Sequence, residues 1–456
     1  MKLRLVDTWQ SLRASYWFMP SLMALGAVLL AAATLQVDQR LEAERGNRFA
    51  WLYTGGASGA RDVLAAIAGS TIAVAGTTFS ITIAVLQLTS GQFGPRLLRN
   101  FMRDTGNQIV LGTFTATFLY CLLVLRQVRG LDDFQFVPHL SVTVGIALGV
   151  ASVGVLIYFI HHIASSIQVA NVIATVGREL EHTVERLFPE AAGRGGDAAE
   201  SPRPGVALPA GFEQECAILP SAGSGYIEAV DSDRLVALAR EHEVVLRLDH
   251  RPGDFVIAGG PLAAVWPPGR ASESLAAALN GAVALGNERS AVQDAAFPID
   301  QLVEIAVRAL SPGINDPFTA ITCIDRLSAA LCALAGRHIP SPYRYDADDT
   351  LRLIAAPATF ASLVDAAFNQ IRQYGATSVA VTLRLLEAIV RVAHCARTPE
   401  QRRTLLRHAE MVHRAGQTHT TEPWDRAALE ERYEAARTAL GFVTTAVPGS
   451  QPTLQS

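Results

Sequence analysis

Lysine is almost missing from this chain. Among 38 basic residues Lys2 is the only lysine, so every other permanent positive side chain is an arginine. The folded parts therefore offer no Walker-type phosphate lysine, no Schiff-base lysine and no attachment lysine for biotin or lipoate. A codon preference for arginine accounts for the bias without any function, and the exclusion holds either way. Charge of both signs is also scarce. Asp, Glu, Lys and Arg make up 18% of the 456 residues, against roughly 25% in an ordinary soluble domain. Half of the residues are hydrophobic and the mean hydropathy is +0.25, which indicates lipid-facing surface and excludes a disordered polymer. A net charge of −4 and an isoelectric point near 6.3 argue against nucleic acid as a partner.

Cysteine gives a third absence. Cys121, Cys216, Cys323, Cys332 and Cys395 include no Cys-x-x-Cys pair, so spacing suggests neither a zinc site nor a disulfide framework. They read as small core residues in a reducing compartment. There is no His-Glu-x-x-His, no Gly-x-Ser-x-Gly and no glycine-rich nucleotide loop after a strand. The expectation is a protein that is not an enzyme and holds neither a metal nor another cofactor.

What is present begins with four long stretches poor in charge. Tyr16–Val37 follows Lys2, Arg4 and Arg13, and its length suits an uncleaved signal anchor better than a signal peptide. Val63–Pro95 contains no Asp, Glu, Lys or Arg over 33 residues. As a helix it would cover about 50 Å at 1.5 Å per residue, against roughly 30 Å of hydrocarbon. It must tilt, break at Gly91 or Gly94, or project from the bilayer. Gln108–Leu125 makes a third run, and a fourth starts near Pro138 and stays free of formal charge to Gly177. Four spans leave both termini on one side. The outer-loop arginines are interleaved with Asp38, Glu42, Glu44, Asp62, Asp132 and Asp133, whereas Arg96, Arg99 and Arg103 have only Asp104 beside them. By the positive-inside rule both termini are expected in the cytoplasm of a bacterial inner membrane.

Thr71, Thr78, Thr82 and Thr89 fall within about 40° of one another on a helical wheel. They are candidates to line a pore, with Arg96, Arg99 and Arg103 as a basic ring at its cytoplasmic mouth. The alternative is that the hydroxyls return to helix carbonyls and the face only packs. Gly145 and Gly149 form a Gly-x-x-x-Gly, a common close-packing motif. His161 and His162 end the fourth run near a membrane–water boundary. They are candidates for pH sensing, or an interfacial pair satisfied by water and headgroups.

Beyond the membrane the apolar positions Ile167, Ala170, Ile173, Val176, Leu180, Val184 and Leu187 recur at helical spacing. The expected organisation is a four-helix transmembrane domain over 1–165, an amphipathic stalk helix over 166–188 and a flexible linker over 189–211. A small β-barrel or sandwich module follows over 212–268, lipoyl-like in outline but without the carrier lysine. A cytoplasmic helical domain over 269–441 and a tail over 442–456 complete a membrane protein that is mainly α. Two segments concentrate polar side chains at a bent turn, Gly286–Asp294 and Arg308–Ala320. Pro312-Gly313 stops one helix, Asp316 caps the next and Pro317 suits its first position. Glu288, Arg289, Asp294, Arg308, Asn315 and Asp316 are the candidate ligand-binding or gating residues, a helix N-terminus being suited to an anion. A purely structural network pinning the turn is the plain alternative.

Ser90-Gly-Gln-Phe-Gly-Pro-Arg96, Phe159-Ile-His-His162, Gly253-Asp-Phe-Val256 and Arg308-Ala-Leu-Ser-Pro-Gly-Ile-Asn-Asp-Pro317 resemble the bacterial predicted-membrane-protein family called domain of unknown function 2254. The resemblance covers nearly the whole chain. It implies a multi-span inner-membrane protein with a C-terminal soluble region, and supplies no activity, substrate or catalytic residue. The function expected from the residues is a homo-oligomeric channel or conduit for small solutes or ions, embedded in the lipid bilayer and gated by its cytoplasmic part. The alternative is a membrane-anchored sensor or scaffold whose cytoplasmic domain binds a protein partner or a small anionic ligand.

Overall fold

The computed structural model describes residues 17–43, 53, 55–94, 104–131, 134–189 and 211–442. The chain divides into two compact units, residues 1–171 and 172–456. Arg96, Arg99 and Arg103, the expected basic mouth, lie outside the described residues.

The first unit consists of four helices, α1 (Phe18–Ala43), α2 (Ala57–Phe93), α3 (Thr105–Leu125) and α4 (His139–Ser166), with a hairpin of β1 (Arg129–Leu131) and β2 (Phe134–Phe136) between α3 and α4. Each matches one of the charge-poor runs. The long run forms one unbroken helix, and Gly94, at φ +103°, follows its end in a backbone state that suits glycine. Helix α3 packs against α1, α2 and α4 and is the most buried of the four. The other helices keep Leu25, Leu29, Ile72, Ile83, Val150 and Ile157 exposed, an apolar exterior suited to lipid. Gly145 and Gly149 let α2 approach α4: a Cβ at either would stand 3.0 Å from Leu64 and 3.3 Å from Ile67 respectively.

One cluster of polar groups inside this unit is paired internally. Pro138 precedes α4 and gives it no side-chain cap. Asp38, at the far end of α1 and 6% exposed, does so instead. Its carboxylate accepts from Leu140 N (2.9 Å), Ser141 N (2.9 Å) and Ser141 Oγ (2.6 Å). Beside it Tyr120 Oη donates to Ser141 O at 3.0 Å and lies 3.0 Å from Thr34 Oγ1. In a low-dielectric setting such a closed set is stabilising because each group would be costly alone.

Helix α5 (Val169–Leu187), which Ile167 and Gln168 separate from α4 in the chain, leads into the second unit, which starts at Val172. The short α6 (Phe212–Glu215) leads into β3 (Ala217–Pro220), β4 (Gly225–Val230), α7 (Ser232–Glu241), β5 (Val245–Leu248), β6 (Phe255–Val256), β7 (Pro261–Trp266), α8 (Glu273–Asn280) and β8 (Val283–Gly286). A helical run follows: α9 (Ala296–Ala309) and α10 (Pro317–Ala335), then, after β9 (Tyr343–Tyr345) and β10 (Leu351–Ala355), α11 (Phe360–Gly375), α12 (Val379–Cys395), α13 (Pro399–His419) and α14 (Pro423–Ala439).

Of the barrel or sandwich expected over 212–268, the closed barrel does not form. The strands make two open sheets, one ordered β3-β7-β5-β10-β9 and one ordered β6-β4-β8. The free edge of β5 is taken by β10, a hundred residues downstream, as a parallel partner, so the sheet extends instead of closing. Asp231 caps the intervening Ser232–Glu241 as a helix by accepting from Arg234 N at 3.1 Å. Within the helical domain expected over 269–441, residues 283–286 instead form the strand β8, because they pair with β4. Both sheets share one core with α7 and α8, centred on Ile227, Leu235, Leu246, Leu262 and Leu279.

Helix α10 is the fifth helix among the described residues that is long and apolar enough to cross a membrane. Here it packs among α9, α11 and α12, with Cys323, Ile324, Leu327, Leu331 and Leu334 buried. Its Asp325 pairs with Arg391 at 2.7 Å and Arg384 at 3.4 Å from α12.

Candidate functional site

A cavity of about 440 Å³ opens in the second unit, within the range of small-molecule sites. Its position follows from the only parallel strand pair among the described residues. The loops leaving the C-terminal ends of β5 and β10, residues 251–254 and 356–358, both line it. Open sheets with parallel strands place their ligand crevice at such ends. Three helices begin at its wall: α7 with Ser232, α9 with Ala295 and Ala296, and α11 with Ser362 and Leu363 in its first turn. Leu187 and Phe188, where α5 ends, form part of the apolar side.

Arg289 organises the polar side. Its Nε donates to Asp294 Oδ2 at 2.8 Å, its Nη2 reaches the same oxygen at 2.7 Å, and its Nη1 donates to Asp300 Oδ2. Asp294 is 5% exposed on its side chain. It also accepts from Ala296 N (2.9 Å) and Phe297 N (3.2 Å), closing the start of α9. Burial pushes the Asp294 carboxyl above the ordinary carboxylate range, against the opposing pull of Arg289. Burial also works to lower the Arg289 guanidinium, but Asp294 and Asp300 outweigh it and hold it above its usual value. The neighbouring Gln293 binds both backbone groups of Val230, accepting from its N–H at 2.9 Å and donating to its carbonyl at 3.2 Å.

The turn 251–254 is fixed just as firmly. Gly253 N donates to Ile227 O at 2.8 Å, and Arg251 N donates to Asp254 Oδ2 at 3.0 Å. Gly253 has φ +98°, and a Cβ there would stand 2.7 Å from Asp294 Cγ. The end of α5 is tied in by Arg186, which donates to Ala291 O, and by Arg337, which donates to Phe188 O at 3.0 Å.

The candidates from sequence separate into distinct places. Arg289 and Asp294 line the cavity, whereas Glu288 is exposed beside it. Arg308, Asn315 and Asp316 do not line it. Arg308 pairs with Glu304 at 3.3 Å. Asn315 takes φ +50° in an exposed turn. Asp316 caps α10, accepting from Thr319 N (3.1 Å) and Thr319 Oγ1 (2.6 Å). That hydroxyl holds its carboxyl below the ordinary range. Arg251, Asp254, Asp300 and the α5 end were not singled out from sequence, although Gly253-Asp-Phe-Val marked the turn.

In the first unit Thr71, Thr78, Thr82 and Thr89 are all buried, between 0% and 5% exposed. Thr71 Oγ1 donates to Ile67 O at 2.8 Å and Thr82 Oγ1 to Thr78 O at 2.9 Å. Thr89 Oγ1 has no partner among the described residues. His162 Nε2 lies 2.6 Å from Asp104 Oδ2, the carboxylate whose other oxygen caps α3 through Gly106 N. Its ring stacks on Tyr158 at 5.3 Å, while His161 is exposed.

Comparison with known proteins matches these two units together. The model of a family described as a predicted membrane protein, DUF2254, matches residues 13–391. The chain belongs to that family. The DUF2254 match takes in the four helices of the first unit and every residue lining the cavity. Among relatives, the uncharacterized protein Rv1290c of Mycobacterium tuberculosis is 35% identical over 385 residues, covering 83% of this chain and 72% of its own. The uncharacterized protein Mb1321c of Mycobacterium bovis gives the same figures. No solved structure matches the chain.

Proposed function

We propose that this DUF2254 protein is a membrane-anchored receptor. In this reading α1–α4 span the bacterial inner membrane with both termini in the cytoplasm, and α10 belongs to the cytoplasmic helical part. The second unit then receives a small soluble ligand in the cavity built on Arg251, Gly253 and Arg289. The observation that carries the reading is the composition of the wall. A cavity at the ends of a parallel strand pair includes the last turn of α5, the helix that follows the last membrane helix after two residues. Occupancy of the cavity would thereby bear on the segment leading to the membrane. Binding is favoured over catalysis because Asp294 and Asp300 are both committed to Arg289, which leaves neither as a free base.

The homo-oligomeric conduit is the second reading, and the length of α2 favours it. The burial of its four threonines inside the unit weighs against it, since a path along them would need them at a hydrated surface. One experiment ranks the two. The full chain in nanodiscs is screened for thermal stabilisation by water-soluble metabolites, alongside conductance in planar bilayers. The receptor reading expects stabilising compounds whose effect disappears in Ala366→Trp, which fills the cavity, and survives Thr71→Leu with Thr78→Leu. Conductance altered by the threonine pair, with no compound stabilising the protein, would sink it in favour of the conduit.

A further inference from the structure

We propose that the end of the helical bundle carrying Ile314, Phe318, Tyr374 and Trp424 rests on the lipid surface of the membrane. The inference stands apart from the cavity and its occupant.

These side chains come from three places in the chain, and helix packing gathers them. Ile314 and Phe318 belong to the turn between α9 and α10, Tyr374 to the last turn of α11 and Trp424 to the first of α14. A Cβ at Gly375 would stand 3.4 Å from Leu310 Cδ1, just after α9, and 2.6 Å from Val381 Cγ1, in the first turn of α12. Helices α10 and α12 run in the same direction. Asp325 reaches Arg384 and Arg391 midway, and a Cβ at Gly336, after α10, would stand 3.4 Å from Arg397 Nη2, after α12. Helix α14 follows α12 in the same way. A Cβ at Gly416 would stand 2.8 Å from Thr382 Cγ2 and 3.1 Å from Leu429 Cδ1, and further along Arg432 pairs with Glu387 at 3.3 Å. The starts of α10, α12 and α14 and the ends of α9 and α11 thus share one end of the bundle.

Helix α5 relates that end to the course of the chain. A Cβ at Gly177 would stand 3.0 Å from Arg326 Cδ, and Pro189 O accepts from His338 N at 3.0 Å. Helices α5 and α10 therefore run in the same direction, and α5 begins at the aromatic end. The chain arrives there from α4, a helix long and apolar enough to cross a membrane, through Ile167 and Gln168 alone. The bilayer that holds α4 is accordingly at hand for this end.

Exposure and residue type agree. Trp424 and Phe318 are 83% and 77% exposed, more than Val150 of α4 at 69%. Single exposed apolar residues are ordinary, but four large ones gathered at one end form a surface that calls for a cover. Tyr and Trp are enriched where hydrocarbon meets headgroups. The charged groups here are of both signs and occupied. Arg308 pairs with Glu304 at 3.3 Å, Asp316 and Glu422 cap α10 and α14, and Arg426 donates to Thr420 O at 2.6 Å. The seating is therefore apolar, and neutral lipid suffices for it.

The test uses the full chain in nanodiscs of phosphatidylcholine, with and without bromine on the acyl chains as a contact quencher of tryptophan. The difference between the parent and Trp424→Phe isolates the emission of Trp424. Phe318→Trp, or Ile314→Trp should that variant misfold, reports the turn. Both signals are expected to fall in the brominated discs. Arg403→Trp is expected to keep its intensity, being an exposed position of α13 at the opposite end, where Gln401 Nε2 donates to Ala335 O at 3.2 Å. Quenching at neither position overturns the proposal. Quenching at one alone does so too, as does equal quenching of Arg403→Trp. Quenching that appears only when phosphatidylglycerol is added overturns the apolar seating. Signals that are shielded only in discs holding two copies would assign the surface to a second copy of the chain instead.

Discussion

Gly253 and Asp294 stand side by side in the cavity wall, so close that position 253 has no room for a side chain. Gly253 is held at φ +98°, and any Cβ would meet the Asp294 carboxylate. Gly253→Ala is strained twice, by backbone conformation and by collision. It should cost roughly 1–3 kcal/mol and displace Arg289 from its partners. Thermal melting of the full chain in detergent measures the first effect, and loss of metabolite stabilisation the second. An unchanged melting temperature would show that the turn has another conformation available.

Arg289 neutralises two aspartates, one of them almost fully buried. Arg289→Met leaves Asp294 without its cation, which in a buried setting costs roughly 3–5 kcal/mol. Combining it with Asp294→Asn removes the stranded charge, so the double variant should melt above the single one. If the two losses simply add, the pair is not the unit described above.

In the first unit Asp38 closes the start of α4 from a different helix. Asp38→Ala strands the backbone N–H groups of Leu140 and Ser141, a loss of roughly 2–3 kcal/mol. Ser141→Ala removes one of the three bonds and should cost less. Unfolding in a graded series of detergents checks the order. Equal stability of Asp38→Ala and the parent would mean that water reaches this cap.

His408 is fully buried between α13 and α11. Its Nε2 is 2.8 Å from Asp365 Oδ1, and its Nδ1 has no partner among the described residues. Burial holds its pKa below 6.5; Asp365 opposes that shift, while Arg407 and Arg372 reinforce it. The unfolded chain therefore takes up this proton first as pH falls. Its contribution is complete above pH about 6.5 and is lost progressively below that, down to the folded-state pKa. Hydrogen exchange of α13 peptides, corrected for intrinsic rates, should show protection weakening from pH 7.5 to 5.5. His408→Gln should flatten the slope. An equal slope in the variant would assign the effect to another group.

The first unit was readable because its signal is local. A stretch without charge needs no distant partner to become a helix, and α1 to α4 fall on the four runs, although α4 ends at Ser166, well before the charge-free stretch does at Gly177. The helices from α9 to α14 follow for the same reason, from apolar periodicity and from caps such as Asp316 and Thr398. The sheets were misread where pairing crosses long distances. Residues 283–286 continue the apolar texture of α8 and become a strand only because β4 is available. The site was half legible. Arg289 and Asp294 stood out as charges beside a glycine, but Arg251 and Phe188 reach them only through the folded sheet. Arg308 and Asp316 shared the same surface character and serve a helix boundary instead.

The insertion of β10 between β5 and β9 also sets an order of events at the ribosome. The four helices of the first unit are complete before residue 170, while the centre of the larger sheet waits for residues 351–355. During that interval β5 is an unguarded edge, a surface prone to pairing with other chains. Every truncation ending ahead of Ala355 keeps that edge open for good. The second unit must accordingly be produced whole, and a nascent chain stalled in this window is where quality control would find it most exposed.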